Sequence, residues 1–492
     1  MAGREPLDAV VVGAGPNGLA AAIELARAGH AGQVLERASD PGGGARSAER
    51  TLPGFVHDVC SAVHPFGRTS PFFAGLDLAR HGLRWVEPPV ALAHPLDGGR
   101  AVLVTRDVDV TASQLGRDAG AYRGLVGPLV RSFGPLIPDI LAPFHVPLSP
   151  RRAIRLARFG FHALQPATLL ARRFEGAPAR ALLAGAAAHS VLPLSEPVSG
   201  AAALVMLGSA HFDGWPFPAG GSGEIAKALV TELASLGGML ETGHPVARLA
   251  DLPPSRVAVF DTAPRALTEV AGRRLPEGYR RAIRGFRYGP SVFKLDLALD
   301  GPIPWQAEGV DQAGTVHLGG TFEEIAASEA DAAHGRISPR PYVLLAQQSR
   351  FDRSRAPGDG ETAWAYCHVP HGSTVDMTEA ILGQIERFAP GVRDRVLAVS
   401  KTDANALAAY NPNNVGGDIT GGRMGLRQLF TRPAIRLDPY STPDPRLFLC
   451  SASTPPGAGI HGMCGLHAAH SVLRRLGSNA GARGEDTDPE NR

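Results

Sequence analysis

The chain has 492 residues, too many for one simple core, so two or three interleaved domains are expected. With 44% hydrophobic and 20% charged residues it reads as a soluble globular protein, and a net charge of +2 gives no reason to expect nucleic acid as a partner. Cys60, Cys367, Cys450 and Cys464 are scattered, with no CxxC and no paired Cys/His spacing. That argues against a metal site, a disulfide scaffold or a redox dithiol, and fits a reducing cytosol.

Residues 8–12 form a short apolar run that suits a buried parallel strand. Gly13-x-Gly15-x-x-Gly18 follows at once, opening an Ala/Leu-rich helix that Gly29 can stop, and residues 33–36 restore a strand ending in Glu36. Gly13 allows the tight turn, Gly15 lets the backbone approach a pyrophosphate, and Gly18 brings helix close to strand. The helix amino terminus, which includes Pro16 and Asn17, offers N–H groups and partial positive charge to phosphates, and Glu36 can accept from ribose hydroxyls. This motif leaves NAD and FAD both open. Pro41-Gly42-Gly43-Gly44 can bring a second glycine turn over the phosphates.

Asp58, Ser61 and His64 lie in LPGFVHDVCSAVHPFGRTSPFF, spaced so that a strand end could present them at a cavity. Equally, Asp58 and Ser61 could cap a helix and His64 be a packed or surface histidine. Residues 83–87 and 101–106 read as short strands, and 113–210 as proline-cut helices. Within that stretch, arginines interleave with bulky apolar residues from Arg151 to Phe174. Two readings stay open: a segment lying on a membrane surface, or a solvated basic helix face over a core. A rigid glycine-ended loop at 214–222 then opens a helix over 224–236. Residues 237–246 read as turn, strand, turn, strand, and 256–261 (RVAVFD) as a further strand before a helix begun by Pro264. The alternating VFKLDLAL at 292–299 predicts a half-exposed antiparallel strand, joined by strands at 315–318, 342–347 and 362–368, with a helix at 377–388. The tail after about Gly477 is polar, which predicts disorder.

Residues 447–450 form a last strand, followed by Ser451 and a second GxGxxG, Gly457-x-Gly459-x-x-Gly462, that leads into a helix to about Leu476. No acid follows on a further strand, so this is not an NAD site. It does set another helix amino terminus, with Ile460, His461 and Met463, at the strand ends, where a dipole stabilises negative charge.

The pairing of GAGPNGL…LERASDPGGG with a terminal LFLCSASTPPGAGIHGMCG resembles the phytoene desaturase / carotenoid oxidoreductase group of FAD proteins. That group is part of the flavin amine oxidase superfamily. More closely, the chain is similar to the bacterial phytoene dehydrogenase-related branch, also called pyridine nucleotide-disulphide oxidoreductase domain 2-like. The resemblance runs over nearly the whole chain, including GWPFPAGGSGEIAKAL and YGPSVFKLDLALDGPIPW. It implies an α/β (α+β overall) fold: a Rossmann-like FAD-binding domain from discontinuous segments (1–75, 213–285, 416–477). A substrate domain would comprise a helical insertion (76–212) and an antiparallel sheet (286–415), with 478–492 as the tail. It implies non-covalent FAD held by Gly13, Gly15, Gly18, Glu36, Arg37, Gly42 and Gly43, an adenine-side backbone contact near Val246, and flavin contacts at residues 459–463. Two departures stand out. The superfamily often has Arg directly after its Gly-Gly pair, where this chain has Gly44, with Arg46 two residues on; and the acid many amine oxidases place after the last strand is Ala452 here.

With one nucleotide site and no CxxxxC dithiol, disulfide reductase chemistry is not expected. The expected reaction is hydride removal from a substrate carbon to a flavin, with O₂ or a quinone as electron acceptor and an apolar, isoprenoid-like substrate. Amine oxidation and a non-catalytic, lipid-binding or prenyl-protein escort role are the alternatives. No obligatory base is identifiable; His461 and His64 are the catalytic candidates, and His461 could orient substrate, tune the flavin or simply cap its helix. Only seven residues precede the first strand and no apolar run is long enough to span a bilayer, so a cytoplasmic protein is expected, with peripheral membrane contact through 151–174 left open. Oligomeric state is not legible in the sequence.

Overall fold

The computed structural model describes residues 6–147 and 149–484. Two sheets organise it. The first is five-stranded and all parallel, in the order Leu447–Leu449, Ser255–Phe260, Leu7–Val12, Gly32–Leu35, Met239–Glu241. Its strands come from widely separated parts of the chain, as a nucleotide-binding domain built from discontinuous segments requires. The central pair, Leu7–Val12 and Ser255–Phe260, is buried through Ala9–Val12 and Val257–Phe260, which is why these runs are continuously apolar rather than alternating. The helix Pro16–Arg27 follows the first strand, with Gly29 in the left-handed region at φ +82° just beyond it.

The second sheet has seven strands, in the order Val396–Thr402, Ser291–Leu299, Glu361–Val369, Val343–Ala346, Ala313–Leu318, Val90–Leu96, Arg100–Val104. It is antiparallel as expected except where Ala313–Leu318 meets Val90–Leu96 in parallel. Val90–Leu96 is absent from the sequence reading because Pro95 and a continuous apolar run disguise it. Pairing with Ala313–Leu318 extends only to Ala93, so Pro95 lies where one edge of the strand carries no partner. One face of this sheet is purely apolar (Phe293, Leu295, Leu297, Val343, Leu345, Cys367) and is covered by Ile381, Ile385 and Phe388 of the helix Thr378–Phe388.

Several expectations need correction. Ser291–Leu299 is buried at every position, not half-exposed: the polar members of its alternation face an interior layer. Residues 244–246 form no strand, so Val246 follows Met239–Glu241 as loop, with His244 N–H donating to the Glu36 carbonyl at 2.8 Å. The last helix runs from Met463 to Gly484, beyond the expected end near Leu476, so residues 478–484 of the expected disordered tail are helical. Residues 485–492 lie outside the described residues. No described helix is long and apolar enough to cross a membrane.

Candidate functional site

The fingerprint glycines converge on one residue the sequence reading passed over. Asp261, just past the strand Ser255–Phe260, receives the Gly18 N–H on Oδ2 at 2.9 Å. A Cβ at Gly15 would stand 2.5 Å from that oxygen, and one at Gly18 would stand 2.0 Å from the Gly13 carbonyl oxygen. Glycine is therefore sterically required where the helix meets the sheet. Burial raises the Asp261 pKa to about 7; the Gly18 hydrogen bond opposes this and the Glu36 charge adds to it. The available signal was an acid closing a buried strand, RVAVFD, at the sheet's carboxyl edge.

Around this junction the residues fit a dinucleotide. Gly15, the N-cap of Pro16–Arg27, supplies no side-chain cap and Pro16 has no N–H, so within the first turn Asp261 holds the Gly18 N–H and the partial positive end stays open to an outside acceptor through the Asn17 N–H. The buried Asn17 Oδ1 has no hydrogen-bond partner. Glu36 is 9% exposed; Oε2 accepts the Ala14 N–H at 2.8 Å and Oε1 accepts the Ala38 N–H at 2.9 Å, which fixes the carboxylate at the end of the second strand. Gly42 and Gly43, at φ +121° and +52°, fold the second glycine turn back so that Gly42 N–H reaches the Ala14 carbonyl at 2.8 Å. Arg46 lies 3.4 Å from Glu36 and 5.4 Å over the ring of Tyr410, whose hydroxyl donates to the Gly43 carbonyl. Gly44 packs beside the Cys60 thiol. Arg37 is more peripheral, reaching only the Tyr410 carbonyl at 3.5 Å.

The terminal motif comes to the same place. A Cβ at Gly465 would stand 2.0 Å from the Asn17 carbonyl oxygen, so the first turns of Met463–Gly484 and Pro16–Arg27 touch. Two helix amino termini thus lie side by side. His461 Nδ1 accepts the Met463 N–H at 3.1 Å, so His461 caps its helix, while its buried Nε2 has no partner. Burial lowers its pKa to about 4, so it is neutral at physiological pH. Ser70 donates to the His461 carbonyl at 2.8 Å, Ile460 is partly buried, and Met463 is buried against the first helix's core. Ser451 turns inward, its hydroxyl accepting from Ser453 N–H. Arg432, buried, donates to the carbonyls of Gly421, Ala452 and Ser453 and fixes the loop after the last strand.

His64 sits elsewhere. It is buried, its Nε2 is 2.8 Å from Ser222 Oγ, and burial brings its pKa to about 4. Asp58 caps no helix of its own segment. Its Oδ1 accepts the Ser222 N–H and the Ser47 hydroxyl, each at 2.7 Å, and Oδ2 pairs with the buried Arg355 at 2.7 Å. Burial works to raise the Asp58 pKa, but the Arg355 guanidinium and these bonds hold it below the ordinary value. Asp58 therefore braces the turn before the helix Gly223–Ser235 against the loop carrying Arg355. Ser61 contributes its carbonyl to Ser222 Oγ. The structure brings His461 to the nucleotide cradle and assigns His64 to this brace.

The inner face of the seven-stranded sheet carries groups the sequence reading missed. Lys294 and Asp296, 2% and 0% exposed, pair with each other, and Arg50 adds a second cation to Asp296 at 3.2 Å. Lys294 Nζ lies 5.8 Å over the Trp364 ring, which meets Tyr366 edge-on at 5.0 Å. Burial lowers the Lys294 pKa against the pull of Asp296. The visible signal was VFKLDLAL itself, whose polar alternates were assigned to solvent.

Comparison with known proteins follows from this geometry. Residues 11–76 match the NAD(P)-binding Rossmann-like domain. The chain is 26% identical to pyridine nucleotide-disulfide oxidoreductase domain-containing protein 2 of Mus musculus, over 95% of this chain and 94% of that one. It is 28% identical to prolycopene isomerase 2, chloroplastic, of an Oncidium hybrid cultivar, over 48% of this chain and 42% of that one. Among solved structures, an oxidoreductase from Methanosarcina mazei aligns with a TM-score of 0.65 at 16% identity, covering 95% of this chain and all of that one. A putrescine oxidase double mutant aligns at 0.61 and 14% identity, over 96% and 99%. Fold and site thus define a protein with a Rossmann-like dinucleotide-binding domain and the fold shared by the Methanosarcina mazei oxidoreductase and putrescine oxidase structures. The resemblance read from the two glycine motifs holds along the chain: its relatives carry the names pyridine nucleotide-disulfide oxidoreductase domain-containing protein 2 and prolycopene isomerase.

Proposed function

We propose that the protein is an FAD-dependent oxidoreductase that holds its cofactor non-covalently and oxidises a C–H bond of an apolar, isoprenoid- or carotenoid-like substrate. The observation that carries this reading is the pair of touching helix amino termini at Asn17 and Gly465, one without a side-chain cap and both at the carboxyl edge of the parallel sheet. Gly13, Gly15 and Gly18 would admit the diphosphate, Glu36 would hold the ribose of the adenosine half, and residues 459–463 would face the flavin end. When bound, the flavin supplies hydride acceptance at N5 and passes the electrons to O₂ or a quinone. Segments 1–75, 213–285 and 416–477 would form the cofactor domain, and 76–212 with 286–415 the substrate domain.

The chain's own contribution is placement and exclusion of water. His461 is neutral and buried, with one ring nitrogen spent on its helix, so it orients rather than exchanges protons. Trp364 and Tyr366 would form an aromatic wall for the substrate. Lys294 and Arg50 both pair with Asp296, so that carboxylate is not free to take an ammonium group, which supports a neutral substrate. Amine oxidation is the second reading, favoured by the likeness of the fold to putrescine oxidase. An absorbance spectrum of the purified protein tests both. Visible flavin bands released on denaturation are expected, with bleaching on anaerobic addition of a carotenoid or isoprenoid. Bleaching by amines alone would favour the second reading. A colourless protein that FAD cannot reconstitute would overturn both and bring forward the non-catalytic alternative.

A further inference from the structure

The helix Pro150–Ala163 turns an apolar stripe outward. Its one fully buried side chain is Ala163, whereas Ile154 and Phe161 are 55% and 67% exposed. These two stand seven residues apart, on one line along the helix, with Arg151 and Arg158 on the same face. A second exposed segment is tied to this helix where His145 meets Arg152 at 2.8 Å. Phe144, 77% exposed, meets Phe430 of the helix Leu426–Thr431 edge-on at 5.5 Å, and Phe430 is itself 53% exposed. Four bulky apolar side chains left exposed on adjoining segments mark a contact surface, unlike single exposed hydrophobics.

Charge says what covers it. Residues 141–174 hold six arginines and no acid, and residues 424–437 hold three arginines and no acid. Arg152 and Arg155 are drawn inward to the buried Asp139, which pins the helix to the body. Arg151, Arg158, Arg172 and Arg427 are exposed and have no carboxylate partner among the described residues. A second copy of this face would set arginine against arginine, so self-association through it is opposed. An anionic lipid surface answers both parts: phosphate headgroups take the arginines and the acyl boundary takes the phenylalanines and isoleucine. No described helix can cross a bilayer, so the contact lies in the interfacial plane.

We propose that this face docks the protein on an anionic membrane, with Phe144, Ile154, Phe161 and Phe430 entering the headgroup–acyl boundary and Arg151 and Arg158 on lipid phosphates. The proposal stands independently of the cofactor reading, and its test needs no turnover. The full-length protein would be sedimented with vesicles of phosphatidylcholine alone and of phosphatidylcholine mixed with phosphatidylglycerol. Binding to the mixed vesicles is expected, weakening with salt. The triple variant R151E/R158E/R172E should lower that partitioning about 100-fold, and I154S/F161S about 10-fold or more. These side chains are exposed, so both variants should keep the wild-type thermal midpoint, which is measured alongside. Failure of the wild type to sediment with mixed vesicles would overturn the proposal. So would sedimentation that neither variant alters, or a wild-type dimer in light scattering that I154S/F161S dissociates, since the patch would then be an interface between copies.

Discussion

At the scale of single residues, the most consequential side chain is Asp261, an acid seated under the glycines that would receive a diphosphate. Its pKa is raised to about 7 in the folded chain from an ordinary value of 3.8. An acid shifted this way contributes stability that is intact below its unfolded pKa and is lost as pH rises through the folded one, on the order of 4 kcal/mol by pH 7. Asp261→Asn keeps an acceptor for the Gly18 N–H without the charge. The variant should therefore gain thermal midpoint over wild type, and gain more at pH 8 than at pH 5. An equal gain at both pH values would show that the carboxyl is not perturbed. On the sheet's inner face the sign is different. Asp296→Ala strands Lys294 and Arg50 without their shared carboxylate and should cost about 3–5 kcal/mol in chemical denaturation, whereas Lys294→Met, which removes charge and keeps volume, should cost much less. Equal losses from the two would mean that the ion pair is not the source of the effect.

At the scale of elements, the contact between the two helix amino termini is decided by Gly465. No side chain fits where a Cβ would stand 2.0 Å from the Asn17 carbonyl and 2.9 Å from the Ala20 Cβ. Gly465→Ala must push the helices apart and is expected to destabilise by about 3 kcal/mol, with loss of bound flavin in the purified protein. The same alanine at Gly477, which has nothing within 4 Å of its virtual Cβ, should be tolerated with full flavin content. Matching behaviour of the two variants would dismiss the helix contact as a determinant. The element scale is also where sequence reading was least complete. The strand Val396–Thr402 and the helix Ala404–Tyr410 passed unread although both have regular burial, because short elements at a domain's edge carry too few periods to stand out. Ser291–Leu299 was read in the right place and the right direction but with the wrong exposure. Period-two alternation reports two chemically different faces, and a polar face can be turned to solvent or to a buried functional layer.

At the scale of the whole molecule, burial keeps a large set of histidines neutral. His57, His64, His94, His211 and His461 have pKa values lowered to about 4, His189 to about 3, and His317 well below its ordinary value, all chiefly by desolvation. A histidine whose folded pKa is depressed leaves stability unaffected above about pH 6.5 and erodes it as pH falls toward the folded value, because only the unfolded chain takes the proton. By pH 5 each costs on the order of 2 kcal/mol, so a few of them consume a typical margin of about 5–15 kcal/mol. The thermal midpoint should fall steeply between pH 6.5 and 5. A midpoint that is flat across that window would show these rings to be solvated or paired in solution. With Asp261 acting in the opposite direction, maximal stability is expected near neutrality.

The sequence alone determined the nucleotide unit, because its physics is local: a strand, a glycine turn, a helix start and an acid lie within residues 8–44. It also determined that the terminal glycine motif opens a helix and that His461 stands at its start. Tertiary structure alone decided that the two helix starts touch, that Asp261 takes the Gly18 N–H, and that His64 belongs to a brace with Ser222 beside the Asp58–Arg355 pair. It also decided that Lys294 and Asp296 face inward. These facts depend on partners at sequence separations of tens to hundreds of residues. Which of two faces a strand buries, and which acid a glycine turn leans on, is set by the layer the fold lays against it.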